Sequence, residues 1–177
     1  MCKNKFKSFN RELLSLIKKH NLKIILFAIL ILLILFLKNF LIIISLTALG
    51  ALSLLHQRWT GDYLGFELCT LATVLCGMLY GAKAGILVGV FSVSLGMIIA
   101  GNIHPSMLLS IICFGFIGLV ASFFTIESIF WVGLGLTVLY DAVMVPVYLL
   151  MGSNHAATFS FTLTHILFNA VIFSLLA

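Results

Sequence analysis

Long apolar runs alternate with short polar breaks along the chain, and this rhythm predicts its elements. The runs cover residues 22–37, 40–55, 64–80, 84–101, 106–125, 129–151 and 158–177. The breaks are Lys38-Asn39, the stretch from His56 to Tyr63, Gly81-Ala82-Lys83, Asn102-Ile103-His104-Pro105, Ile126-Glu127-Ser128 and Gly152-Ser153-Asn154-His155. Continuous apolar runs of about 20 residues read as membrane helices, whereas barrel strands would show a period of two. Breaks this short make neighbouring spans antiparallel hairpins. The expected fold is an all-α integral membrane protein, a compact bundle of about six transmembrane helices.

The count turns on residues 22–55. Run 22–37 would extend only about 24 Å as a helix, short for a crossing. It is either a seventh helix or, joined to residues 40–46, one tilted span with Lys38 snorkelling outward. Six spans place Lys83 on the same side as the N-terminus, which favours six. Residues 47–55 then belong to the first external loop.

Composition narrows the class further. The 177 residues are 63% hydrophobic and only 8% charged, far below the roughly one-quarter charged residues of a soluble domain. A soluble enzyme and an extended nucleic-acid binder are both excluded. The charge is also uneven. Lys3, Lys5, Lys7, Arg11, Lys18, Lys19 and Lys23 crowd the start, leaving only Lys38, Arg58 and Lys83 for the rest. Such clustering places the N-terminus on the cytoplasmic side; an arm that binds anionic lipid or nucleic acid is the alternative. Within residues 1–21, Phe6, Phe9, Leu13 and Ile17 step by three or four, as in an amphipathic helix lying in the interface. The expected organisation is therefore a basic segment at 1–21 and a polytopic domain at 22–177. Ala48-Leu49-Gly50 offers small residues suited to signal cleavage. The apolar region before it is too long for a signal core, however, so the segment is read as retained.

Cys2, Cys69, Cys76 and Cys113 show neither metal-ligand spacing nor a redox motif. Gly77, Gly81, Gly85 and Gly89 recur every four residues, and small residues let membrane helices approach closely. They mark either a tightly packed bundle or a surface that docks on another membrane protein.

Ionisable residues inside spans are costly and usually functional or paired. Asp141 lies mid-run, and His165 and Asn169 share a face of the last span. Counting back from the 152–157 loop, Asp141 sits about 13 Å deep and His165 about 10 Å, so the two could meet. They form either a structural pair or the polar anchor of a ligand pocket. Trp59, Asp62, Tyr63, Glu67, Asn102, His104, Tyr148, Asn154 and His155 gather at the same, external end of the six-span arrangement. Glu67 falls about one turn inside its span. Aromatic rings with a few orienting polar groups suit a small amphipathic solute. Pro146 is expected to kink its span and widen such a pocket.

No His-Glu-x-x-His helix, Gly-x-Ser-x-Gly elbow or Walker loop is present. Gly152-Ser153 with His165 is the nearest approach to a serine–histidine pair. The expectation is a non-enzyme without cofactor or metal.

One stretch carries a resemblance. Glu67–Gly101 holds a polar loop, an apolar span ending Cys-Gly-Met-Leu-Tyr-Gly-Ala-Lys-Ala-Gly, then Val-Gly-Val-Phe-Ser-Val-Ser-Leu-Gly. It resembles the second and third helices of the substrate-binding S components of energy-coupling factor (ECF) vitamin importers, and the likeness extends over about 64–177. The resemblance implies a six-helix protein that captures a vitamin-like solute at its outer end. A transmembrane T subunit and a pair of ATPases then topple it to release the solute inside. It also implies that the final loop and last two spans help to bind the solute. The family's Ala-x-x-x-Ala docking surface has its nearest counterpart at Thr47 and Ala51 or, at shorter spacing, at Ser45 and Ala48. A second resemblance, to the rod-shape-determining D family, implies a scaffold that binds membrane proteins and no solute. A third possibility is a proton-coupled carrier using Asp141 and His165.

Overall fold

The computed structural model describes the backbone of residues 2–177 and the side chains of residues 23–35, 37–61 and 63–177. Among the described residues every regular element is helical. Seven α-helices follow one another: α1 (Cys2–Ser53), α2 (Gln57–Thr60), α3 (Cys69–Tyr80), α4 (Ala82–Ala100), α5 (Ser106–Ala121), α6 (Ile129–Leu150) and α7 (His155–Ser174). Among the described residues four segments are long and apolar enough to cross a membrane: Lys23–Thr60, which takes in most of α1, then α4, Ile126–Leu150 with α6, and α7. The chain is thus a helical membrane protein.

Two compact units divide the chain, Met1–Ile42 and Ile43–Ala177. In the first unit, the described side chains from Ile24 to Leu41 are exposed, as suits a helix whose solvent is lipid. The amphipathic face of Phe6, Phe9, Leu13 and Ile17 lies outside the described residues.

Helix α1 corrects two sequence expectations. Lys38-Asn39 does not break it, because neither residue is a helix breaker and both are exposed. Residues 47–53 are helical rather than loop; only after Ser53 does the chain tighten into a 3₁₀ turn, Leu54–His56. The seventh-helix alternative is therefore absent.

In the second unit, α3 is central and packs against α4, α5, α6 and α7. Its Cys69, Thr70, Ala72, Thr73, Val74 and Cys76 are all buried. With 12 residues it spans only about 18 Å, and α5 with 16 about 24 Å. Helix α3, enclosed by its neighbours, has no need to match the lipid thickness. The expected run 64–80 is helical only from Cys69, because 64–68 is an extended loop. The run 106–125 likewise stops at Ala121, and the last helix starts at His155, earlier than 158. There Asn154 caps it, with Oδ1 accepting the Ala156 and Ala157 N–H groups at 2.8 and 3.4 Å. Helix α6 runs through Pro146, whose ring leaves the Ala142 carbonyl without its helical donor.

Glycine decides the contact of α3, α4 and α5. Gly81 turns the chain between α3 and α4 with φ +84°, a conformation L side chains rarely adopt. A Cβ on Gly77 or Gly85 would meet the Gly118 carbonyl oxygen at 2.7 and 2.6 Å, and one on Gly89 would strike the backbone of Phe114. Gly77, Gly85 and Gly89 thus pack within the chain, against α5, whereas a Cβ on Gly81 would meet nothing. Ala51 is also turned inward, with its backbone against Gly96 of α4. Cys69, Cys76 and Cys113 are free thiols; the first two are buried, and Cys69 Sγ donates to the Gly50 carbonyl at 3.2 Å.

Candidate functional site

The polar core of the second unit begins in the loop before α3. Gly65 lies directly on α7: a Cβ there would come within 2.7 Å of the His165 backbone. Its N–H donates to Thr164 Oγ1 at 2.8 Å, and the Leu68 N–H donates to Ser53 Oγ at 2.8 Å. His56 adds a tie, its Nε2 3.1 Å from the Leu64 carbonyl. These bonds deliver Glu67 to the start of α3. There its carboxylate accepts the Thr70 N–H at 3.1 and 3.2 Å and the Thr70 hydroxyl. A carboxylate at a helix N-terminus also meets the positive end of the helix dipole.

Glu67 then reaches His165. The imidazole Nε2 lies 2.9 Å from Glu67 Oε1, and Nδ1 lies 3.0 Å from both oxygens of Asp141. His165 is wholly buried, and both carboxylates are nearly so. The meeting of Asp141 and His165 expected from their depth is therefore present, with a third member 98 residues upstream. Phe161 stacks on the His165 ring at 5.4 Å, and Tyr140 meets it edge-on at 5.7 Å. One turn along α7, Asn169 donates to the His165 carbonyl at 3.0 Å, while its buried Oδ1 has no partner among the described residues.

Above this cluster lies a cavity of about 340 Å³, within the range of small-molecule sites. Glu67 and His165 form part of its lining, with Phe114, Tyr140, Tyr148 and Phe161 as aromatic walls. Ser106, Ser110 and Thr158 add hydroxyls, and Tyr140 donates to Ser110 Oγ at 3.2 Å. Tyr63, Gln57, Asn102, His104, Ser153 and Asn154 come from the loops and helix ends at one end of the unit. Asn102 donates to Gln57 Oε1 at 3.4 Å.

The sequence-derived candidates divide accordingly. Tyr63, Glu67, Asn102, His104, Tyr148, Asn154 and His165 line the cavity. Asp141 stands behind His165 and does not line it, and Asn169 is buried outside the lining. Trp59, 76% exposed, and exposed His155 do not line it. The side chain of Asp62 lies outside the described residues. Glu67 is not a turn inside its span, as expected, but in the loop that precedes it.

Gln57, Ser106, Ser110, Tyr140, Thr158 and Phe161 were not anticipated. Spacing carried the missing signal: Ser106, Ser110 and Phe114 step by four along α5, and Phe161 precedes His165 by four. Both ring nitrogens of His165 face carboxylates, which leaves no lone pair for a metal ion. Among the described residues no group of three His, Cys, Asp or Glu side chains is arranged to hold one. No protein-family model, curated protein or solved structure matches the chain.

Proposed function

We propose that the chain is the substrate-binding subunit of an importer, similar in role to an ECF S component. It takes a small vitamin-like solute into the cavity at the external face. A T-type membrane subunit and a pair of ATPases complete the delivery. The observation that carries this reading is the cavity itself: enclosed by aromatic rings, floored by a hydrogen-bonded polar cluster, and placed at one end of a helical membrane unit. A scaffold would have no use for such a hollow, and three glycines of its best docking stripe, Gly77, Gly85 and Gly89, are taken up internally.

The proposed orientation is multi-pass with a cytoplasmic N-terminus. The basic residues before position 24 support it. So does Lys83, in the first turn of α4, at the end of the unit away from the cavity loops. The solute therefore enters from outside.

The test is affinity purification in mild detergent with mass spectrometry of the proteins retained. A T-type subunit with ATPases is the expected result. A reproducible set of envelope or division proteins would replace the importer with a scaffold. The Glu67–His165–Asp141 cluster favours one second reading, a proton-coupled carrier. That carrier would take up solute in proteoliposomes driven by a proton gradient alone, where the importer subunit would not.

A further inference from the structure

We propose that the cavity is built for a small organic cation, an amphipathic amine, with its charged group set against Glu67. This rests on reading the cavity as a solute site and names the class of solute.

The inference starts from a count of protons. The Thr70 backbone N–H can only donate, and it lies within hydrogen-bond distance of both Glu67 oxygens. Glu67 also faces the Thr70 hydroxyl and His165 Nε2. A carboxyl group ringed by donors is held as the carboxylate, so Nε2 keeps its proton and donates. One proton then remains between Nδ1 and Asp141, which touch at 3.0 Å. It makes either an imidazolium beside a carboxylate or an imidazole beside a carboxylic acid. The cluster carries a net charge of −1 in both forms. Among the described residues the cavity lining contains no Lys or Arg that could balance it; besides His165, its other basic side chain is His104, in the loop before α5. A lone buried charge in apolar surroundings is costly until it is paired.

The surroundings select the partner. A hard metal ion wants several oxygens converging on it, whereas of the two carboxylates only Glu67 reaches the cavity. An anion would be repelled, and a neutral solute would leave the charge unbalanced. An organic ammonium meets both features of the site. Its charge pairs with Glu67, and its body lies among the rings of Phe114, Tyr140, Tyr148 and Phe161, whose faces attract cations.

The experiment uses the full chain in nanodiscs and three probes of matched shape: phenethylamine, 2-phenylethanol and phenylacetate. Binding is read by calorimetry and thermal shift. The amine is expected to bind at least about tenfold more tightly than the alcohol, and phenylacetate not at all. Ala157→Trp, at a half-buried lining position, should abolish binding. Glu67→Gln should bring amine and alcohol to within about twofold of each other. The wild-type preference among the probes is readable even if that variant fails to fold. Equal or tighter binding of the alcohol or the carboxylate, blocked by Ala157→Trp, would overturn the cation inference and leave the solute site standing. Absence of binding by all three probes would contradict both.

Discussion

Two helix contacts in the second unit solve the same problem in opposite ways. Helices α4 and α5 meet through missing side chains: a Cβ on Gly118 would fall onto the Gly85 backbone. Helices α6 and α7 meet through polar side chains, with Asp141 of one bonded to His165 of the other. In lipid there is no water to expel, so close approach and satisfied polar groups supply the drive to associate. The glycine contact leaves no space between backbones. The polar contact holds its helices through long side chains, and the cavity opens beside it. At the end away from the cavity α6 and α7 return to the first solution, with the Phe173 ring seated on Gly133. The contrast teaches that the polar cluster both fastens this unit and shapes the hollow a solute would occupy.

The contrast can be broken most severely at its polar centre. His165→Ala leaves the buried side chains of Glu67 and Asp141 without the imidazole that bridges them. It should cost about 3–5 kcal/mol, read as lost folding in denaturant titrations of detergent-solubilised protein. The glycine contact should give way next. Gly118→Ala forces two backbones apart and should cost about 1–3 kcal/mol by the same titration, with little change in the cavity. A smaller loss follows at the edge of the polar contact. Asn154→Ala removes the cap of α7 and should lower stability by about 1 kcal/mol. Trp59→Ala and His155→Ala lie outside both contacts; each should shift stability by less than about 0.5 kcal/mol and leave solute binding intact. A large effect at either position would place a third contact where the structure has none.

Much of this was legible in the order of residues. Apolar runs and polar breaks located the later helices to within a few residues, because a helix in a membrane needs a continuous apolar run and its polar ends fall in the loops. Depth arithmetic brought Asp141 and His165 together, since consecutive antiparallel helices preserve height. Glu67 was harder. Its contact with His165 depends on an extended loop at 64–68 and on Gly65 lying flush against α7, and hydropathy reports neither. The hydroxyls of Ser110 and Thr158 were invisible for a different reason: such residues bond their own helix backbone so often that their presence marks no site. Helix α1 exposed the opposite weakness. Lys38-Asn39 looked like a break because it is polar, yet helices end where backbone geometry fails, not where polarity rises.

The central claim is that the cavity above Glu67 and His165 holds a small solute. Native mass spectrometry of the wild-type protein and Ala157→Trp, released from mild detergent, tests it most directly. A small molecule retained by the wild type and absent from the variant is the predicted result. Bare protein in both, or the same adduct on both, would contradict it.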